Sequence, residues 1–211
     1  MFHSCPLCLS TNQVFEFKNE FTHCLECDFI FREPKQNFIG SGEKEHYQKH
    51  KNGPQYKGYV SFLMQAIEPI KNYLKPNLRA LDFGCGPGPA ISHVLQPFQI
   101  QCDNYDPFFF PEGIDAGSYD FIFATECVEH FYQPNQEFEK ILGLLKVGGI
   151  LSIMTEIHPG LNNINVWYYI KDATHVSFYS EKTFKWITLK YSLQIIFSDH
   201  KRVIIFRKKS S

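Results

Sequence analysis

The spacing of apolar residues divides the chain into segments of different kinds. Tyr59, Phe62, Leu63, Ala66, Ile67, Ile70 and Leu74 recur at intervals of three and four, which places them on one face of a helix over 56–74. Helices are also predicted over 89–95, 135–145 and 181–189. Short apolar runs at 79–83, 99–105, 119–124, 149–154, 193–197 and 203–207 predict strands. The turn Ser198-Asp199-His200-Lys201 is short enough to make the last two an antiparallel pair. Strands alternating with helices predict an α/β fold, a doubly wound and mostly parallel sheet covered on both faces. Residues 1–32 differ. They show β-like alternation in Val14-Phe15-Glu16-Phe17 and in Phe29-Ile30-Phe31, with no helix between. Residues 33–58 are polar and punctuated by Pro34, Gly40, Gly42, Gly53, Pro54 and Gly58, which reads as a linker or lid with a short helix near 43–50. The expected organisation is a small N-terminal unit (1–32), a linker (33–58) and a main domain (59–211).

Composition narrows the class. A chain of 211 residues with 44% hydrophobic positions can build a core, so disorder throughout is excluded. Its 21 basic and 22 acidic residues leave a net charge of -1, with no basic excess to announce nucleic acid. No apolar run approaches the roughly 20 residues that span a bilayer. The first residues, Met1-Phe2-His3-Ser4-Cys5-Pro6, lack the apolar core of a signal peptide. A cytoplasmic protein without a membrane partner is therefore expected, and nothing in the pattern sets an oligomeric state.

Seven cysteines are many for such a chain, and four fall within the first 27 residues. Cys5, Cys8, Cys24 and Cys27 form C-x2-C-x15-C-x2-C. Two tight turns at the ends of a hairpin would aim four thiolates at one point, the tetrahedral sulfur geometry that suits structural zinc. A redox pair and an empty ribbon are the alternatives. A closed four-sulfur site has no open position for chemistry, so its ordinary role is to fold a segment too small to own a core. RNA binding by the ribbon is a second role, which its few Lys and Arg residues do not favour. His23 is either a substitute ligand or a packed histidine.

A second candidate site is Leu81-Asp82-Phe83-Gly84-Cys85-Gly86-Pro87-Gly88, between a predicted strand and helix. Glycines here let the backbone turn sharply and approach a ligand closely. Asp106 ends the next strand in Asn104-Tyr105-Asp106-Pro107, where an acidic side chain can take the hydroxyls of a ribose. A phosphate loop is disfavoured, because Pro87 removes a donor and no Lys-Ser/Thr follows. These residues, with Tyr119-Asp120-Phe121-Ile122-Phe123, the turn Leu145-Lys146-Val147-Gly148-Gly149 and the terminal strand pair, resemble the class I S-adenosylmethionine-dependent methyltransferases over about residues 56–208. The resemblance implies a Rossmann-like fold and S-adenosylmethionine as cofactor. It implies a cofactor site at Asp82, Gly84, Cys85, Gly86, Gly88, Asp106, Pro107 and Thr125. Between Asp106 and Tyr119 there is little room for the family's usual helix and third strand, so a short or irregular edge is expected, with Asp115 a candidate contact for the adenine. The cysteine cluster, Tyr105-Asp106-Pro107-Phe108-Phe109 and the segment Asp172-Ala173-Thr174-His175-Val176-Ser177-Phe178-Tyr179-Ser180 resemble a bacterial subgroup of zinc-ribbon methyltransferases.

A third set follows the strand at 119–124, in Thr125-Glu126-Cys127-Val128-Glu129-His130, and is joined by His175. Glu126, Glu129, His130 and His175 make a mixed oxygen and nitrogen set for Mg²⁺, Mn²⁺ or a related ion. This arrangement resembles two metal-dependent O-methylating families, the small-RNA terminal 2′-O-methyltransferases and the polyprenyl-benzoquinol O-methyltransferases. The resemblance implies a catalytic role for those four residues. A metal-free base and a purely structural role remain open beside it. Methyl transfer to an oxygen is the expected reaction. The acceptor is either a small hydroxylated molecule or RNA, and a cofactor-binding regulator without catalysis is the alternative of another class. Cys85 and Cys127 are discounted as nucleophiles, and Cys102 reads as a strand residue. Phe108-Phe109-Phe110 and Trp167-Tyr168-Tyr169 read equally as site walls or core. Tyr47, His50 and Asn52 are candidates to close over a substrate. Lys201, Arg202, Arg207, Lys208 and Lys209 read as a solvated strand edge.

Overall fold

A computed structural model describes residues 4–11, 14–17, 20–35, 41–48 and 52–210. Its main sheet has six strands: β4 (Arg79–Phe83), β5 (Gln101–Tyr105), β6 (Tyr119–Thr125), β7 (Leu145–Met154), β9 (Leu193–Ser198) and β10 (Val203–Lys208). Their order is β5-β4-β6-β7-β10-β9. The first four are parallel, and β10 runs antiparallel between β7 and β9. The chain winds outward from β4 to β5, then crosses back to β6. That reversal opens a crevice at the carboxyl ends of β4 and β6, where open α/β sheets bind ligands.

Two apolar clusters hold the sheet from its two faces. Leu63, Ala66 and Ile67 of α2 (Lys57–Ile67) pack with Ile91 and Leu95 of α3 (Ile91–Leu95) on one side. Phe138 and Ile141 of α4 (Pro134–Leu144) and Phe184 and Ile187 of α5 (Glu181–Lys190) pack on the other. The predicted helix over 56–74 is α only to Ile67 and continues as 3-10 turns over Glu68–Tyr73. Pro69 explains the change, since it has no N–H and its ring opposes the carbonyl four residues back. The strand expected at 149–154 begins at Leu145, which pairs with Tyr119 before a bulge. The edge after Asp106 is irregular as expected: a single bridge, Asp106 to Phe110, stands where a further strand would lie.

The cysteine segment forms β1 (Val14–Phe17), β2 (Phe21–Cys24) and β3 (Ile30–Phe31). A fourth strand, β8 (Ser177–Phe178), completes this sheet from the far side of the sequence, pairing with β3. Leu7, Phe29 and Phe31 belong to the same buried cluster as Phe138, Tyr179 and Phe184. No helix among the described residues is long and apolar enough to cross a membrane.

Candidate active site

The crevice at the sheet reversal is a cavity of about 890 Å³. Its floor is the turn after β4. Gly84 and Gly86 take φ of +76° and +63°, the left-handed region that favours glycine. A Cβ at Gly84 would stand 2.5 Å from Cys127 Cβ, and one at Gly88 would stand 2.5 Å from the Asn52 carbonyl oxygen. The loop is thus pressed against the turn after β6 on one side and residues 52–53 on the other. Asp106 braces it. Its Oδ2 accepts the Gly86 N–H at 3.0 Å, and its Oδ1 accepts the N–H groups of Phe108 and Phe109. Asp82 is buried beneath, its carboxyl pushed up to about 7 by burial, although the Ile91 amide pulls the other way. Gly84, Cys85, Gly86, Asp106, Pro107 and Thr125 line the cavity, whereas Asp82 and Gly88 support it from behind.

At the other wall, three side chains converge. Single ligand atoms of Glu129, His130 and His175 lie within 4.8 Å of one another. His130 sits in a 3-10 turn, Val128–His130, just past β6, and its Nδ1 donates to the Thr174 carbonyl at 3.1 Å. His175 Nδ1 donates to the Tyr169 carbonyl at 2.8 Å. With Nδ1 committed as the donor, each ring presents an Nε2 lone pair, the arrangement found in metal-ligating histidines. Burial lowers the His175 pKa, which favours the neutral ring. Glu129 is fully buried. Its Oε1 accepts Tyr169 Oη–H at 2.6 Å, and its Oε2 has no hydrogen-bond partner among the described residues. A buried glutamate with an orphaned oxygen, grouped with two imidazoles, fits a divalent cation.

Glu126 is not gathered into this trio. It lines the same cavity at φ +50°, with its N–H donating to Met154 O and its Oε1 without a partner among the described residues. Burial, reinforced by the charge of Glu129, pushes its carboxyl up to about 9. Two other sequence expectations are corrected, at Asp115 and Arg202. Asp115 is exposed beside Arg79 and does not line the cavity. His23 is not grouped with the four cysteines; its Nε2 is engaged by Asp28 at 2.8 Å. Arg202, which directly precedes β10, is no solvated edge residue. Arg202 lines the cavity, pairs with Glu156 and stacks over Phe62. Cys85 and Cys127 are buried, and burial raises both thiols above their ordinary range, so neither supplies a thiolate. Tyr47, Asn52, Phe108, Tyr168 and Tyr169 are cavity walls; His50 lies outside the described residues.

Sequence reasoning missed Glu43, Tyr132 and the bonding role of Tyr169. Glu43, on α1 (Ser41–Tyr47), is buried and accepts hydrogen bonds from Tyr47 and Tyr132 over the cavity. A glutamate in a polar linker gives no local signal of such burial. Tyr169 fixes two of the trio at once, Glu129 through its hydroxyl and His175 through its carbonyl.

The four cysteine sulfurs also cluster within 4.8 Å, with Cys5–Cys27 at 3.7 Å and Cys8–Cys24 at 3.4 Å, and none is in a disulfide. Zn–S bonds of about 2.3 Å in a tetrahedron imply sulfurs roughly 3.8 Å apart, so the cage fits zinc.

Residues 54–196 match the family model described as a methyltransferase domain. Among solved structures, a SAM-dependent methyltransferase from Archaeoglobus fulgidus aligns with a TM-score of 0.55 at 16% identity, over 82% of this chain and 100% of that one. A phosphoethanolamine N-methyltransferase 2 of Haemonchus contortus, in complex with S-adenosyl-L-methionine, aligns with a TM-score of 0.53 at 13% identity, over 83% of this chain. The alignment spans 59% of that longer chain. No curated protein matches the sequence.

Proposed function

The chain belongs to the methyltransferase-domain family, and on that premise we propose that it moves a methyl group from S-adenosylmethionine to a hydroxyl of a small acceptor, assisted by a divalent ion at Glu129, His130 and His175. The carrying observation is that trio: Glu129, His130 and His175 bring one ligand atom each within 4.8 Å of one another, every side chain is held by a named hydrogen bond, and Glu129 Oε2 has no partner among the described residues. Two imidazoles shift the preference from Mg²⁺ towards Mn²⁺ or another transition ion. Held there, such an ion would supply Lewis-acid chemistry, making an acceptor hydroxyl easier to deprotonate.

The chain's own groups do the rest. The Gly84–Gly88 turn would admit the cofactor's methionine portion, and Asp106 keeps one lone-pair site, on Oδ2, for a ribose hydroxyl. The trio lines the same cavity as this loop, so an acceptor held there would share one enclosed space with the cofactor. Among the described residues, five carboxylates line the cavity (Glu43, Asp106, Glu129, Glu137 and Asp172), beside Glu126 with its raised carboxyl, against one guanidinium, Arg202. That balance suits a sulfonium cofactor and opposes a polyanion, which favours a small hydroxylated acceptor over RNA. In the same reading, the four cysteines hold structural zinc.

Labelled cofactor incubated with fractionated cell extract tests the proposal. Label is expected in small molecules, is lost when a chelator strips the divalent ion, and returns with Mn²⁺. Label in RNA would overturn the acceptor class. Full transfer without any divalent ion would overturn the metal role. Zinc content, followed by elemental analysis, separates loss of the cysteine-bound ion from loss at the trio.

A further inference from the structure

The cysteine hairpin touches the proposed site through one side chain. Arg32 directly follows β3 and is only 4% exposed. Its Nε donates to the carbonyl oxygen of His175 at 2.7 Å, and a terminal nitrogen donates to the carbonyl of Asp172. Its own N–H donates to Val176 O at 3.0 Å, which prolongs the β3–β8 pairing by one residue. The guanidinium carbon stands 5.5 and 5.9 Å from the centroids of Phe21 and Phe178, two rings in edge contact with each other that wall one side of it. On the opposite edge, Val176 N–H donates to Glu129 O at 2.9 Å. The backbone at His175 is therefore clamped between the hairpin and the turn that carries Glu129 and His130.

We propose that Arg32 is a positioning residue for His175, so that the cysteine hairpin is a working part of the methyl-transfer site and not only an accessory fold. A guanidinium suits this task because its rigid fork meets two carbonyls at once, which a lysine ammonium does not fix in direction. From Arg32 the constraint runs back to the sulfur cage through β3. Thr22 and His23 of β2 pair with Phe31 and Ile30, and Cys24 N–H bonds Phe29 O across the turn. Emptying the cage loosens β3, and with it the carbonyl clamp on 172–175. The purpose assigned to the clamp rests on the proposed function; the clamp itself is measured without it.

The test uses full-length, zinc-loaded protein labelled with ¹⁵N-histidine, with the His175 ring signals assigned by His175→Gln. In Arg32→Ala, the His175 ring signals are expected to shift or broaden, those of His93 and His200 to stay in place, and S-adenosylhomocysteine affinity to remain within about twofold. Arg32→Lys restores the His175 signals only in part, because it supplies one donor direction instead of a fork. Mn²⁺ affinity, followed by its electron paramagnetic resonance signal, is expected to fall by about 10-fold or more in Arg32→Ala, the usual consequence of removing an outer-sphere support. Unchanged His175 signals in a folded Arg32→Ala would overturn the positioning role. So would loss of S-adenosylhomocysteine binding in step with the His175 change, which would mark a general disruption. If Arg32→Ala does not fold, Arg32→Lys decides by the same two readings. A wild-type protein that binds no Mn²⁺, yet shows the His175 response to Arg32, would sink the metal reading and leave the clamp standing.

Discussion

Glu126 holds a left-handed backbone conformation at φ +50°, uncommon for any residue but glycine, and carries a buried carboxyl oxygen without a partner among the described residues. The turn leaving β6 imposes the conformation, through the Glu126 N–H bond to Met154 O. Burial first, and the neighbouring charge of Glu129 second, push the carboxyl up to about 9 from an ordinary 4.5. The folded chain therefore keeps a proton that the unfolded chain has released over that window. Stability falls as pH rises through it, because the native state binds more protons there. Glu126→Gln removes this burden. Its thermal midpoint should match wild type near pH 4.5 and exceed it by a margin that widens towards pH 9. A difference that does not vary with pH would rule this account out. The same residue marks a limit of sequence reading. Glu126 and Glu129 stand three apart and look equivalent on paper, but one turn of backbone sends only Glu129 to the histidines.

Among the elements, the glycine turn was readable because its chemistry is local. Strand, glycines and helix follow one another, and the acid that braces them closes the very next strand. What packs over it was not readable. Residues 52–53 come close enough that any side chain at Gly88 meets the Asn52 carbonyl. Gly88→Ala should therefore displace a cavity wall and weaken S-adenosylhomocysteine binding about tenfold, or about 1.4 kcal/mol. Gly58 offers the contrast. It lies in α2 without a positive φ, and a methyl added there would meet nothing within 4 Å. Gly58→Ala should stabilise the protein by about 0.5–1 kcal/mol and leave binding unchanged. Calorimetric titration and urea unfolding of the two variants check both. Wild-type binding by Gly88→Ala would contradict the close contact.

In the whole molecule, the cysteine hairpin and the α/β domain share one buried core. Phe29 meets Tyr179 at 5.1 Å, and Tyr179 stacks on Phe184 at 5.2 Å. Backbone and side-chain bonds tie the two further: Asn135 N–H to Pro6 O, and Lys182 Nζ to Leu25 O. Burial shared in this way makes unfolding cooperative. Scanning calorimetry should show one transition for the zinc-loaded protein. After chelation there should again be one transition, at a lower temperature, since a ligand bound only to the native state stabilises it. Two separate transitions would show that the hairpin folds on its own.

The sequence by itself determined the alternation of strands and helices, the Rossmann-like sheet, the glycine turn with its acidic brace and the clustering of cysteines. Each depends on residues close along the chain, where periodicity and turn chemistry act directly. Only the tertiary structure decided which acids and histidines meet, that Arg202 faces the cavity, and that Arg32 reaches the carbonyl of His175 from 143 positions away. Those pairings depend on a two-residue strand and on how buried surfaces close over one another. A strand that short carries no period of its own, so its partner is chosen by the packed core and not by its residues.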